Sequence, residues 1–110
     1  MTDLAHKSCR PCEGGVAPMT AEHARALLAQ VPDWALDEPG RLLVRTFRFR
    51  NFYETMAFAN AVAFVANRED HHPDLTLSYK ECRVHYQTHA VGGLSENDFI
   101  CAAKIDRLLT

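Results

Sequence analysis

Residues 52–73, FYETMAFANAVAFVANREDHHP, decide the fold because they predict a long central helix with a sharp end. Apolar side chains recur on nearly every side of this segment, as in a helix that is covered by more than one neighbour. Pro73 disfavours helical geometry at His72, so we expect the helix to end at about Asp70 or His71. The two histidines are therefore predicted at an irregular corner between a helix and a strand.

Patterns on both sides of this helix predict two strand pairs and two further helices. In chain order the predicted elements are a helix from Thr20 to Val31, strands from Trp34 to Leu36 and from Leu42 to Arg50, the central helix, strands from Leu75 to Tyr79 and from Cys82 to Thr88, and a last helix from Ser95 to Leu108. This α-β-β-α-β-β-α order predicts a single-domain α+β fold in which a four-stranded antiparallel sheet carries the helices on one face.

The first 18 residues are rich in Gly, Pro, Cys and charge and show no apolar period. They are predicted to be a flexible N-terminal tail, with the folded domain spanning residues 19–110. Cys9 and Cys12 in this tail form one CxxC pair, which has the spacing of half a zinc site or of a redox pair. Because no second pair follows, we expect two exposed, reduced thiols, and a zinc-stabilised tail is the weaker alternative.

The composition is that of an ordinary globular protein, with 110 residues, 47% hydrophobic side chains and a net charge of −2. That charge gives no reason to expect nucleic acid or an anionic membrane as a partner. No apolar run approaches the roughly 20 residues that cross a bilayer, and the first residues hold no secretory apolar segment. A cytoplasmic location is therefore expected.

Side chains that titrate near neutral pH are concentrated in one part of the chain, at His71, His72 and His89. This concentration indicates proton-transfer chemistry without a cofactor. A metal site is the alternative, since His85 brings the number of nearby imidazoles to four. On a strand, however, His85 and His89 would lie about 13 Å apart and could not share one ion, so no metal is expected.

Each candidate has a plainer structural interpretation. His89 is predicted at the end of a strand before a glycine loop, where it could meet a ligand or simply face solvent. Asp98 follows Ser95 by three residues and could serve only to cap the last helix. Trp34 has the pattern of a core residue as much as that of a binding-site wall.

Taken together, the chain from about residue 20 to residue 109 resembles the pterin-4a-carbinolamine dehydratase family. The residues that carry the resemblance are His71-His72-Pro73, Tyr79, His89, Asp98, the region around Trp34 and the stretch GLSENDF at 93–99. The resemblance implies loss of water from a 4a-hydroxytetrahydropterin to give the quinonoid dihydropterin. This reaction recycles the pterin cofactor of aromatic amino acid hydroxylases, and the family performs it without a cofactor of its own.

The resemblance also implies roles for individual residues. The implied catalytic residues are His71, His72 and His89, and the implied substrate-binding residues are His72, Pro73, Trp34, Thr88 and Asp98. Within these sets His71 and His89 form the acid/base pair, and His72 orients the pterin. Asp98 is expected to support His89.

Residue 67 departs from the family pattern. Asn67 stands where the family usually has an acidic residue, so it cannot raise a histidine pKa by negative charge. A homodimer or homotetramer is expected, because one small sheet cannot cover the central helix on two sides. An aromatic amino acid hydroxylase is a further implied partner. The alternative function is a non-catalytic scaffold, either a transcriptional dimerization cofactor or an assembly factor of the same fold.

Overall fold

Helices and strands follow one another in the predicted order in the computed structural model, which describes residues 3–11, 17–37 and 40–109. They are α1 (Ala21–Leu28), β1 (Ala35–Leu36), β2 (Leu43–Arg48), α2 (Phe52–Glu69), β3 (Asp74–Leu77), β4 (Glu81–Tyr86) and α3 (Glu96–Asp106). Short 3-10 helices add Leu4–His6, His89–Val91 and Arg107–Leu109. Glu38 and Pro39, which lie between the first two predicted strands in the sequence, are outside the described residues.

The sheet has four strands in the order β1-β2-β4-β3, and each neighbouring pair is antiparallel. Along β4, Cys82, Val84 and Tyr86 are buried, whereas Arg83 between them is exposed. This alternation leaves one face of the sheet for the helices, as the period of two predicts. The predicted α+β fold with helices on one face of an antiparallel sheet is confirmed.

Helix α2 begins and ends where the sequence predicts. The side chain of Asn51 caps its first turn by accepting a hydrogen bond from the Glu54 N–H at 2.9 Å. At the other end Asp70 adopts a left-handed conformation with φ of 52°, and the His71 N–H donates to the Ala66 carbonyl at 3.1 Å. This reversal ends the helix and turns the chain toward β3. At 18 residues α2 is the longest described helix, and no helix among the described residues could span a membrane.

Trp34 belongs to the hydrophobic core. Its side chain is 3% exposed and meets the Phe47 ring edge-on, with centroids 6.0 Å apart. The indole Nε1–H donates to Asp106 Oδ1 at 2.8 Å, which satisfies the polar end of this buried ring. The same carboxylate accepts from Arg45 at 2.7 Å, so this polar contact ties β2 to the end of α3.

Residues 3–11, here called the strap, lie against α3 and the C-terminal end of α2. Leu4 is 1% exposed, and Lys104 Nζ on α3 donates to the Ala5 carbonyl at 3.0 Å. The prediction of an exposed tail over residues 1 to 18 is therefore wrong for the strap. One buried leucine and several polar contacts hold the segment, and such an attachment leaves no apolar period in the sequence.

Candidate active site

A cavity of about 620 Å³ lies where three segments meet: the end of α2, the chain after β4, and the strap. Its lining residues are Cys9, Arg10, Pro11, Glu69, Asp70, His71, His72, Gln87, Thr88, His89, Ala90 and Asn97. Sites for small molecules typically measure roughly 300–1,000 Å³, so a bicyclic ring system fits this volume. The three predicted catalytic histidines are therefore brought together at one cavity.

His71 forms the inner wall, and its ring is fixed on two sides. Its Nε2 lies 2.6 Å from Asp98 Oδ1, and the ring stacks on Tyr86 with centroids 5.3 Å apart. The Tyr86 hydroxyl donates to the His71 carbonyl at 3.2 Å, which holds the backbone of the same residue. Because Nε2 is engaged by the carboxylate, Nδ1 is the ring nitrogen that can meet a bound molecule.

Asp98 is fully buried behind His71 and receives hydrogen bonds from two further groups. The Thr88 hydroxyl donates to its Oδ2 at 2.9 Å, and the Ser95 N–H donates to the same oxygen at 3.0 Å. The capping box predicted from Ser95 and Asp98 is thus confirmed. A carboxylate with these donors is held in one orientation and presents its second oxygen to the imidazole.

The pKa of His71 is raised above its ordinary value. Burial of the ring opposes protonation, but the hydrogen bond to Asp98 and the negative charge of that carboxylate outweigh it. The imidazolium form is therefore favoured at pH values where an ordinary histidine has already lost its proton. This is the electrostatic condition for a general acid at neutral pH.

His72 has different surroundings, although it is the next residue. Its Nε2 lies 2.9 Å from the side-chain oxygen of Asn67, and the pair is exposed at the rim of the cavity. The side chain at the position where the family usually has an acidic residue thus contacts a histidine. It does so as a neutral amide, which can orient the ring without adding negative charge.

His89 lines the same cavity. The prediction that it is the last residue of a strand is wrong. Strand β4 ends at Tyr86, and His89 begins the short 3-10 helix His89–Val91. The Thr88 N–H donates to the Gly93 carbonyl at 2.8 Å, closing a loop that turns the chain away from the sheet. The exposed imidazole of His89 therefore lies at the solvent side of the cavity.

Only some of the predicted substrate-binding residues lie at the cavity. Thr88 and His72 line the cavity. Asp98 is covered by His71 and contacts that residue. The expectation that Asp98 supports His89 is therefore wrong. Pro73 is partly buried beside the corner and is not among the lining residues. Trp34 is not among them either, because its ring is enclosed in the core and its N–H is bonded to Asp106.

Tyr79, one of the residues that carry the family resemblance, is not at the cavity. It lies in the turn between β3 and β4, is 61% exposed, and stacks on Phe52 with centroids 6.4 Å apart. Its carbonyl accepts a hydrogen bond from the Thr55 hydroxyl at 2.9 Å. The residue therefore joins the start of α2 to the second hairpin.

Sequence reasoning missed the cavity residues of the strap and several polar side chains. Those of the strap are Cys9, Arg10 and Pro11, and the others are Glu69, Asp70, Gln87 and Asn97. Position along the chain could have indicated three of them, since Glu69 and Asp70 precede the two histidines and Gln87 precedes Thr88. Nothing in the pattern indicated the strap residues, because their place depends on contacts with distant parts of the chain.

Cys9 meets a second cysteine. Its Sγ lies 3.5 Å from Cys101 Sγ, and the hydrogen bond between the two thiols lowers the pKa of Cys101. Cys12 lies outside the described residues, so the predicted CxxC pair is not seen as a unit. Within residues 3–11, 17–37 and 40–109, no group of three or more His, Cys, Asp or Glu side chains could hold a metal ion.

Comparison with known proteins gives one consistent result. A family model described as pterin 4 alpha carbinolamine dehydratase matches residues 17–108. A relative from Nitrosomonas eutropha, named "Putative pterin-4-alpha-carbinolamine dehydratase", is 58% identical over 108 residues, covering 97% of this chain and 94% of its own. A relative of the same name from Legionella pneumophila (strain Corby) is 54% identical over 109 residues, covering 98% and 96%.

A solved structure agrees with these relatives. It is described as a transcriptional coactivator/pterin dehydratase from Brucella melitensis, with a TM-score of 0.79, 25% identity, and coverage of 84% of this chain and 99% of its own. Fold and sequence together define a dehydratase, an enzyme of the hydro-lyase class. The chain belongs to the pterin-4a-carbinolamine dehydratase family.

Proposed function

We propose that this protein dehydrates 4a-hydroxytetrahydropterin to the quinonoid dihydropterin by histidine acid/base catalysis. It would thereby recycle the pterin cofactor of an aromatic amino acid hydroxylase that produces its substrate. One observation carries the proposal: a histidine with a raised pKa, held by a buried carboxylate, lines a cavity of a size that fits a bicyclic ring. The family match supplies the substrate class.

The reaction requires two proton transfers and no electron transfer. The C4a–O bond breaks, and the departing hydroxyl takes a proton from an acid to leave as water. The proton on ring nitrogen N5 passes to a base, and its electron pair forms the C4a=N5 double bond. Two imidazoles can serve as this acid and this base, and each typically accelerates such a reaction by about 10²–10⁴-fold.

His71 is proposed as the acid. Its raised pKa keeps a proton available at neutral pH, and Nδ1 is the nitrogen free of Asp98. Asp98 holds the ring orientation and stabilises the imidazolium, in the manner of the buried carboxylate of a catalytic triad. It is a positioning residue, since it does not reach the cavity.

His89 is proposed as the base, because it faces the cavity from the exposed 3-10 helix and can release its proton to solvent. His72 and the Thr88 hydroxyl are proposed to orient the pterin. Pro73 contributes by fixing the corner that turns the two adjacent histidines toward one space. Trp34 has no role in this proposal, because it is enclosed in the core.

Stopped-flow absorbance of 4a-hydroxytetrahydropterin decay, with and without the protein, tests this function. We expect a clear acceleration by wild type and by the control variant His85→Ala, because His85 lies in β4 and does not line the cavity. A decay rate equal to that of buffer would overturn the proposal.

A homodimer or homotetramer is also proposed, on the basis of the outer face of α2. Phe52, Tyr53 and Phe64 on this helix are 46%, 89% and 64% exposed, which is unusual for aromatic residues of a small domain. A second copy of the chain would cover them. Sedimentation at micromolar concentration is expected to show a dimer or larger species, and a strict monomer would refute this.

The alternative function is that of a non-catalytic scaffold. The Brucella melitensis structure is described as a transcriptional coactivator as well as a pterin dehydratase, and the aromatic face of α2 is a surface that could hold a protein. Absence of turnover in the stopped-flow experiment would favour this alternative. The cavity histidines would then have no purpose, which is why the enzymatic function is preferred.

A further inference from the structure

We propose that the strap is part of the pterin site and sets how tightly the substrate is held. It would act as a wall of the cavity that the rest of the fold leaves open. This inference rests on the proposed function for the identity of the ligand, but the geometry that leads to it is independent of the reaction. Three consecutive strap residues, Cys9, Arg10 and Pro11, line the same cavity as the catalytic histidines.

The strap is fixed in this place by a pair of hydrogen bonds to one side chain. Asn97 Oδ1 accepts from the Arg10 N–H at 3.0 Å, and Asn97 Nδ2 donates to the Arg10 carbonyl at 2.6 Å. A side-chain amide that pairs with both polar groups of one backbone residue specifies the register of that residue. Arg10 is thus held at the cavity by its main chain.

A second attachment lies one residue earlier. The Cys9 N–H donates to Glu69 Oε1 at 2.9 Å, and the Cys9 Sγ lies 3.6 Å from the Asn97 carbonyl oxygen. Glu69 is the last residue of α2 and itself lines the cavity, directly before the corner that carries the histidines. The strap therefore joins α2 to α3 across one side of the site.

Further attachments lie outside the cavity. Lys7 Nζ pairs with Glu96 at 3.1 Å, and the buried Leu4 anchors the first turn, its N–H donating to Gln30 Oε1 at 3.2 Å. These contacts hold the strap without touching the cavity. Leu4 therefore offers a way to detach the strap while every lining residue is left in the chain.

The strap also lies outside the part of the chain that defines the family. The family model begins at residue 17, whereas the relative from Legionella pneumophila matches 98% of this chain and so extends into the strap. A wall added to a shared fold is a means of tuning affinity without altering the catalytic groups. The strap residues are accordingly expected to affect binding more than turnover.

Two variants test the inference. Asn97→Ala removes both bonds to Arg10, and Leu4→Asp places a charge in the buried anchor site. Each should raise the KM for the 4a-hydroxytetrahydropterin, and the Kd for 7,8-dihydrobiopterin, by about five- to twenty-fold, with kcat within about twofold. Ser8→Ala, an exposed change within the strap, is the matched control and should leave all three values unchanged.

The contact between Cys9 and Cys101 supplies an independent readout of strap position. In a Cys12→Ser background, diamide should join the two thiols, its azo bond taking up the two protons and two electrons that they lose. Crosslinking should be rapid in the parent protein and slower in Asn97→Ala. Once formed in Asn97→Ala, the disulfide should restore the Kd, because it returns the strap to the cavity. A purely structural role of Asn97 would not produce this rescue.

The outcomes separate the inference from the proposed function. If wild type binds 7,8-dihydrobiopterin but shows no turnover, the proposed reaction is refuted. The strap inference is then tested by the Kd values of the strap variants alone. An unchanged Kd in both strap variants and in a deletion of residues 1–11 would overturn the inference, whatever the turnover. Absence of pterin binding by wild type would overturn both.

Discussion

His71 and His72 are neighbours in the sequence, yet they lie in two different parts of the cavity. His71 is on the inner wall, with its side chain 13% exposed and 2.6 Å from the fully buried Asp98. His72 is at the exposed rim, 2.9 Å from the neutral Asn67. The left-handed residue before them and the proline after them let adjacent side chains take such different positions.

The difference shows that two side chains of the same type differ in chemistry according to the group each one contacts and how far that contact is shielded from solvent. A buried carboxylate attracts the positive charge of a neighbouring imidazolium strongly, because no solvent screens the attraction. A neutral amide at the surface has no net charge with which to attract its partner. The inner wall is therefore expected to control the rate and the rim to control orientation. Substitutions on the two sides should give effects of different size.

The largest effect is expected on the inner wall. His71→Ala removes the proposed acid and should lower turnover by about 10²-fold or more, with the protein still folded. His89→Ala should cost at least about tenfold. His72→Ala should cost less than either, since it removes an orienting group. Single-turnover stopped-flow kinetics measures all three, and an equal loss in His71→Ala and His72→Ala would abolish the distinction between wall and rim.

Asp98→Asn should have the next largest effect, about tenfold on turnover near neutral pH. Burial still opposes protonation of His71 in this variant, while the charge of Asp98 no longer favours it, so the pKa of His71 falls. The acid then loses its proton at lower pH, and the alkaline limb of the pH–rate profile should move toward lower pH. A limb that stays in place would show that Asp98 does not set the pKa of the acid.

The same ion pair should make stability depend on pH. Because the folded pKa of His71 is raised, the folded protein keeps a proton that the unfolded chain loses near pH 6.5. The resulting stabilisation is fully present below about pH 6.5 and disappears as pH rises through the folded pKa. Urea unfolding at several pH values should show this loss in wild type, and His71→Gln should lack it. Parallel pH dependences would contradict the account.

The smallest effect is expected at the rim. Asn67→Asp restores an acidic residue beside His72, but both groups are exposed, so solvent weakens the new attraction. Turnover should change by less than about threefold. The steady-state rate at neutral pH measures this, and a gain of tenfold or more would show that the rim histidine takes part in the proton transfers.

Most of the fold could be predicted from the sequence because its signals are local. Asn51 and Ser95 are residue types that favour the position before a helix, and both helices begin at the following residue. The period of two along β4 gave the buried face of the sheet. Such signals require only neighbouring residues, so a single sequence is sufficient to read them.

The candidate site was predicted only in part, because its contacts join distant residues. The resemblance pointed to His71, His89 and Asp98, but not to the pairing of Asp98 with His71, which spans 27 positions. The strap was predicted to be an exposed tail, because its attachment through Asn97 lies 87 positions away. Polar contacts of this range have no periodicity and cannot be inferred from composition.

An NMR titration of the imidazole rings tests the central claim most directly. With the His71 signal assigned by comparison with His71→Gln, we predict a pKa above the ordinary value of about 6.5 in wild type and a lower pKa in Asp98→Asn. A His71 pKa at or below about 6.5 in wild type, or one that does not change in Asp98→Asn, would contradict the claim that the buried carboxylate makes His71 the acid.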